Sequence, residues 1–477
     1  MTTHRIRRPS PRQLGIRFEK RMNNYKPPAN KIYGCDTPSP VNAIPEFAPM
    51  GGVLISYPGT VSRSSTTSQS GPVDQLNLHA QLPPGGSRAF GIPDELIIRM
   101  QQADARDPVH IFILCSDPNE NARIIANLSG TAKSMKLEFD PNLIHLVPWD
   151  TDTYWTRDYG PWWIQNKVTG YFGIAKHIYT TLGGGSVGLV EGAENVSPME
   201  GLGIFRPNDD YAAVKFSDYL NAPIRQWNDA SWTTYKKNKK ENAKLPPIDI
   251  HDWFFTGLLD VGGNYMVTGD GTIASSYLVA DQNELPVHKE EWITNPPPSI
   301  VERRMEYITE QLNRFMGIKK YHVITDPSGT YIGHIDCWGK FLARDKVLIA
   351  KSEDQKVNEA YDAIDKYFTS EKFKVYRVMC QNMYIPAADP STAATTAAYT
   401  NSLILNNHVY VPIAGGQYKK QDKTALEVYR KALPGYTVVG ILGKPEYPWL
   451  GTDAMHCRTR AVPRQVVNNW LESQNLL

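Results

Sequence analysis

Cys457 sits in DAMHCRTRAV, residues 453–462, between a histidine and an arginine. A thiol reacts as its thiolate, and nearby positive charge or a base lowers its pKa. His456, Arg458 and Arg460 are the local candidates for that role. A lone cysteine beside a histidine also has a purely structural reading, because local cysteine signatures do not transfer between families. Three other groups draw attention through type and position. YWTRDYGP carries Asp158, and GHIDCWGK carries His334 and Asp336. Asn401 opens the segment NSLILNNHVYVPI. Asp158 next to Arg157 is equally readable as a local ion pair. His334 and Asp336 flank Ile335, so both are expected on one face of an extended segment. Cys337 then points the other way and, beside Trp338, reads as a packed small hydrophobe.

Two carboxylates, one imidazole and one thiol suit a particular reaction. Carboxylates accept paired N–H bonds from a planar guanidinium in the fork geometry that makes such pairs strong. Two of them can hold a substrate guanidinium and intensify the positive charge on its central carbon. The thiolate attacks that carbon, and the histidine protonates departing ammonia and then activates water. The chemistry is guanidinium hydrolysis. A zinc site is the competing reading, since His334, Asp336, His456 and Cys457 are all metal-ligand types. Compact zinc spacings such as C-x-x-C or H-E-x-x-H are absent from the chain.

These residues need elements to bring them together, and the sequence repeats one order of elements. NYMVTGDGTIASSYLV reads as a hairpin around Gly269-Asp270-Gly271. A helix follows, with Val301, Met305, Ile308, Leu312 and Phe315 on one face and Gly317 as its stop, and YHVIT returns as a strand. GKFLARDKVLIAK, QKVNEAYDAIDKYF and FKVYRVMC repeat that order, turning at Arg344-Asp345. NSLILNNHVYVPI, DKTALEVYRKAL and YTVVGIL repeat it again, turning at Asn406-Asn407. Two looser copies precede them. One runs from GGVLISYP through PDELIIRMQQ to HIFILC, and the other starts with PWWIQNKVTGYFGIA. Five copies at a coarse period predict a closed radial array, because no unit alone buries its apolar face. Corresponding strand ends would then converge near one axis, with Asp158, His334, Asp336, Asn401 and Cys457 among them.

Polar insertions at about 59–88 and 182–203 read as long surface loops. The basic cluster HRIRRPSPR, residues 4–12, reads as part of a poorly ordered arm over residues 1–45, leaving 46–477 as a single domain. A formal net charge of +2 argues against nucleic-acid binding, and 41% hydrophobic with 21% charged residues suits a globular chain. No run of about 18 apolar residues predicts a membrane helix. Five cysteines are too few for a disulfide framework. The compartment expected is that of a mature secreted chain, with a cytoplasmic one left open, and sequons stand at Asn127 and Asn195.

EFAPMGGVLISYP, YWTRDYGPWW, RPNDD, LDVGGNYMVTGDG, YIGHIDCWGKF, YTNSLILNNHVYVP and MHCRTR, in that order between about residues 46 and 465, resemble the bacterial-type peptidylarginine deiminases, relatives of agmatine deiminase. The resemblance implies a five-bladed α/β-propeller, the pentein fold. It implies that Asp158 and Asp336 grip the guanidinium, that His334 is acid and base, and that Cys457 is the nucleophile. Trp155, Tyr331 and Ile332 would line the slot for the substrate side chain, with Asn401 a further site residue. Arg206 in GIFRPNDD would meet the substrate carboxylate, but Ile204 stands where the family has a second arginine. Internal arginines of peptides or proteins are therefore expected substrates, to be converted to citrulline and ammonia. The calcium loops of the vertebrate enzymes are not visible, so no cofactor or metal is expected. Agmatine deiminase is the neighbouring alternative, for which Asp209 and Asp210 are the nearest candidates to meet a distal amine. A non-catalytic binding propeller is the alternative from another class.

Overall fold

A computed structural model describes residues 40–57, 91–104, 106–151, 153–179, 207–237, 250–283, 298–327, 333–380, 398–443, 449 and 453–475. Both insertions read from the sequence lie outside these residues, as do Asn195, Ile204, Arg206, Tyr331 and Ile332.

Local chemistry explains the repeated unit best where it is most regular. Strand Gly339–Ala343 pairs antiparallel with Lys346–Lys351. The Asp354 side chain then accepts from Val357 N at 2.9 Å and starts the helix Gln355–Ser370. That helix buries Tyr361, Ile364 and Phe368, which stand three and four residues apart on one face. Lys374–Met379 returns parallel to Lys346–Lys351. The same order is built by Leu403–Leu405, His408–Ile413, the helix Lys419–Ala432 and Thr437–Leu442. Its hairpin turns at Asn406, whose φ of 54° is a conformation asparagine tolerates.

Met266–Val267, Thr272–Ser276, the helix Pro298–Met316 and Lys320–Ile324 form the third such sheet. Ile308, Leu312 and Phe315 are buried on that helix as the spacing predicts. Here the second hairpin strand is shorter than the sequence suggests. The Ser276 hydroxyl accepts from Leu278 N at 3.1 Å, and Leu278–Gln282 turns helical instead of continuing as strand.

The two looser copies differ because distant segments complete them. Val41–Ala43 adds antiparallel to Trp162–Asn166, which pairs with Phe172–Ile178; the long helix Pro207–Lys237 crosses to Trp253–Leu259. Residues 41–43 therefore belong to the fold, not to the N-terminal arm. Met50–Ser56, His110–Leu114 and Ile144–Val147 lie parallel. Their antiparallel partner is Arg460–Pro463, with Arg460 opposite Leu54. The first and last parts of the fold thus share one sheet. The described strands form five separate sheets of three or four strands. Val53, Leu54, Ile55 and the run Ile111–Leu114 are fully buried, as expected of parallel strands covered on both faces.

Gly317 tests this packing. Its φ is +68°, and a β-carbon there would fall 1.7 Å from the Val41 carbonyl oxygen. Gly317→Ala is expected to lower unfolding stability by about 2 kcal/mol or more, since strand Val41–Ala43 must shift. Denaturant unfolding measures it, and wild-type stability would contradict the close approach.

Candidate active site

Five segments meet at one place, and each leads into a strand of a different sheet. The helical turn Thr156–Tyr159 precedes Trp162–Asn166 and carries Asp158. The 3-10 turn Gly262–Asn264 precedes Met266–Val267. A second 3-10 turn, Ile335–Cys337, precedes Gly339–Ala343 and carries Asp336, with His334 at its start. Asn401 precedes Leu403–Leu405. Cys457 precedes Arg460–Pro463, so it opens the closing strand of the first sheet as well as following the last strand of the fifth.

Asp336 and His334 reach the site, but from a 3-10 turn and not from the extended segment the alternation suggested. Ile335 and Cys337 are fully buried in the apolar core beside Trp338. Burying both neighbours of Asp336 bends the chain there.

Gly263 is the residue sequence reading gave no role. Its N–H donates to Asp158 Oδ1 at 3.1 Å. A β-carbon on it would lie 2.8 Å from Asp158 Oδ1, 2.8 Å from His334 Nδ1 and 3.2 Å from Asp336 Oδ1. The two carboxylates and the imidazole therefore converge on a spot only glycine can border. His334 Nδ1 is 3.6 Å from Asp158 Oδ1. His334 is buried, and among the described residues neither ring nitrogen has a hydrogen-bond partner. The signal available in the sequence was the Gly262-Gly263 pair inside LDVGGNYMVTGDG.

Asn401 shapes the thiol's surroundings. Its Oδ1 accepts from Ala454 N at 3.0 Å and from Cys457 N at 3.1 Å. These two donors fix the amide's orientation, so Nδ2 donates to Cys457 Sγ at 3.0 Å. Cys457 Sγ also lies 3.4 Å from Asp336 Oδ2. Arg157 ties the Asp158 turn to the same loop, its N–H donating to Cys457 O at 3.0 Å and its Nε to His456 O at 3.1 Å. Trp155 precedes that turn, half-buried, with its ring 4.7 Å from that of Tyr154.

The cations beside Cys457 in sequence are each paired with another group, and Arg458 acts on the thiol only through its charge. His456 turns away, its Nδ1 2.7 Å from Asp336 Oδ2 and its Nε2 2.7 Å from Glu46 Oε2. Arg458 pairs with buried Asp453 at 2.7 Å. Arg460 donates through Nε to Pro161 O at 2.6 Å and lies over the Trp162 ring. Burial, followed by the charges of Asp336 and Asp453, instead pushes the Cys457 thiol well above its usual range. The zinc reading loses a ligand by the same geometry, because both His456 nitrogens face carboxylates. Among the described residues no group of three or more His, Cys, Asp or Glu is placed to hold a metal ion.

The two carboxylates are driven apart. Burial pushes Asp158 up to about 6, helped by the charge of Asp336 and opposed by His334. Burial also pushes Asp336 up, but the hydrogen bond and charge of His456, with His334 and Arg157, hold it below the usual carboxylate range. Asp209 and Asp210 are both engaged elsewhere. Asp209 accepts from Thr153 N at 3.1 Å and Thr153 Oγ1 at 2.7 Å, while Asp210 accepts from Tyr179 N at 2.8 Å and pairs with Lys176 at 2.6 Å.

Solved structures share this architecture. The agmatine deiminase of Enterococcus faecalis aligns over 89% of this chain and 96% of its own, with a TM-score of 0.51 and 16% identity. The "Putative Arginine Deiminase" of Porphyromonas gingivalis aligns over 89% of this chain and 98% of its own, with a TM-score of 0.52 and 15% identity. At such identity the likeness defines the fold class alone, that of the α/β pentein-type deiminases. A protein of Vibrio parahaemolyticus serotype O3:K6, strain RIMD 2210633, named "Putative agmatine deiminase", is 23% identical over 239 residues, 44% of this chain. The match spans 60% of that relative's length. Residues 210–463, more than half of the chain, match the sequence profile of the Porphyromonas-type peptidyl-arginine deiminases. The chain belongs to that family.

Two substitutions probe the site. Asp158→Asn removes a charge that burial opposes while keeping the acceptor for Gly263 N–H. It is expected to leave Tm equal to or above wild type, yet to cut turnover of a guanidinium substrate at least about a hundredfold. A fall in Tm with turnover intact would make Asp158 structural. Gly263→Ala is expected to cut turnover by a similar factor, because Asp158 and His334 must both retreat.

Proposed function

We propose that this protein hydrolyses the guanidinium of peptidyl arginine to citrulline and ammonia, with Cys457 as nucleophile. The observation carrying this reading is the placement of Asp158, His334, Asp336 and Cys457 around Gly263 and Asn401, brought in by five segments that lead into five different sheets. Family membership supports it. The five sheets are read as the blades of one propeller-like catalytic domain.

Each carboxylate takes N–H bonds from one edge of the substrate guanidinium. That cation offsets the charges that raise the thiol's pKa, so substrate binding itself favours the thiolate. The thiol proton passes to His334, and Sγ attacks the central carbon and forms an S–C bond. One C–N bond breaks with its electron pair on nitrogen, which takes a proton from His334 and leaves as ammonia. The remaining thiouronium is attacked by water, whose proton passes to His334. The S–C bond then breaks as the remaining hydroxyl proton is lost to solvent, restoring the thiolate and releasing the ureido group of citrulline. Asn401, donating to Sγ, stabilises the thiolate before attack and again as the leaving group.

Internal arginines are the proposed substrates, because Ile204 replaces the second arginine of the family's clasp. A single charge-assisted contact from Arg206 is worth roughly 1.5–3 kcal/mol, about half of a two-arginine clasp. Commitment of Asp209 and Asp210 to Thr153, Tyr179 and Lys176 weighs against agmatine, whose distal amine would need a carboxylate.

Citrulline formation from one peptide with arginine placed internally or at its C-terminus, beside agmatine, tests the substrate. Internal arginine is expected to be turned over within about a hundredfold of C-terminal arginine. Agmatine as the best of the three would overturn the peptide reading. Cys457→Ala is expected to abolish turnover and Cys337→Ala to retain it; the reverse pattern would sink the nucleophile assignment. The pH profile follows from Asp158. Its carboxyl is protonated below about 6, so kcat/KM should fall as pH drops through about 6. The kcat limb should lie lower, because the bound cation pulls that pKa down.

A further inference from the structure

Asp336 also lines a cavity of about 40 Å³ whose walls do not include Cys457. A space of about 10–15 Å³ already admits a water molecule, so this one takes a small ion. Its walls include Glu46, Arg157, Lys340, His456 and Arg460, with the Trp162 ring beside them. Lys340 is paired, with Nζ 2.9 Å from both oxygens of Glu46. Arg157 is not so satisfied. Arg157 Nη2 is buried without a hydrogen-bond partner among the described residues, and stands 3.9 Å from Glu46. Arg460 is 4% exposed; its Nε donates to the Pro161 carbonyl, its guanidinium stacks on Trp162, and Glu46 attracts it while Arg157 repels it. The indole N–H of Trp162 is also buried and without a partner among the described residues. Leaving His456 aside, three cations on this wall face the two carboxylates Glu46 and Asp336. Buried charge without a counter-charge is costly, so the balance favours one more negative charge.

We propose that this cavity binds one small monovalent anion, of chloride or formate size, held by the guanidinium groups of Arg157 and Arg460 and by the Trp162 indole N–H. A divalent oxyanion would overshoot the single unmatched charge. The site communicates with the thiol through one side chain. Asp336 lines the cavity and also stands 3.4 Å from Cys457 Sγ. Negative charge placed beside Asp336 disfavours the thiolate, so anion binding moves the pH midpoint of Cys457 alkylation upward.

Crystals soaked in sodium bromide test the site, and none of the readouts uses turnover, so the result is independent of the proposed reaction. An anomalous peak between Arg157 and Arg460 is expected. At constant ionic strength, chloride, formate or bicarbonate should raise Tm by about 2 °C or more over gluconate, which is too large to enter, and the rise should saturate. The iodoacetamide alkylation midpoint should rise with it. Stabilisation by formate or bicarbonate without a bromide peak would identify a planar carboxylate-type anion in the same cavity. Arg460→Met should abolish the salt-specific Tm rise, and Arg460→Lys, retaining charge, should preserve part of it. If Arg460→Met does not fold, the wild-type soak decides. No bromide in the cavity, together with equal Tm in chloride, formate, bicarbonate and gluconate, would overturn the proposal.

Discussion

One largely buried carboxylate connects most of the parts. Glu46 follows directly on strand Val41–Ala43, accepts from Lys340 at 2.9 Å, from Ile404 N at 2.6 Å and stands 2.7 Å from His456 Nε2, with Arg157 nearby. These contacts reach the fourth sheet, the fifth sheet, the Cys457 loop and the Asp158 turn. Burial pushes Glu46 up, but Lys340, His456 and Arg157 outweigh it and hold it well below the usual carboxylate range. Removing one partner from such a cluster typically costs about 3–5 kcal/mol, because the other charges remain in low dielectric. Glu46 thus determines where His456 points, and through His456 where the Asp336 carboxylate is held.

The resulting centre is electrostatically unfavourable by itself. Asp158 is charged only above about 6, and the Cys457 thiol is held protonated by burial and by the surrounding carboxylates. On the proposed reaction, both penalties reverse when a planar cation enters between the carboxylates. A centre of this kind selects its substrate by charge before any contact with the rest of that molecule. On the proposed reaction it also keeps the thiol inert in the absence of a cation, and among the described residues Cys457 forms no disulfide.

The neighbouring cavity has the opposite imbalance, with cations exceeding carboxylates. His456 and Asp336 line it while Asp336 contacts the thiol. The two sites that share Asp336 therefore carry complementary demands, a cation in one and an anion in the other. Coupling between them needs no conformational change, since charge acts over a few ångströms of low dielectric.

Much of this was legible in the chain. Period-two and period-3.6 patterns located the hairpins at Gly269-Asp270-Gly271, Arg344-Asp345 and Asn406-Asn407 and the helices after them, because these depend on local turn chemistry and amphipathicity. Residue type and position singled out Asp158, His334, Asp336, Asn401 and Cys457 as candidates, and the fold brings them together. Three things were decided only by the tertiary structure. Arg460–Pro463 completes the first sheet from the far end of the chain, a pairing no local pattern encodes. Gly263 borders the site through what it lacks, and its role depends on three side chains from other segments. The cations flanking Cys457 in sequence are drawn away by Glu46, Asp453 and Pro161, because adjacency along a tight turn sends successive side chains in different directions. Sequence determined which groups the chain possesses, and packing determined which of them face one another.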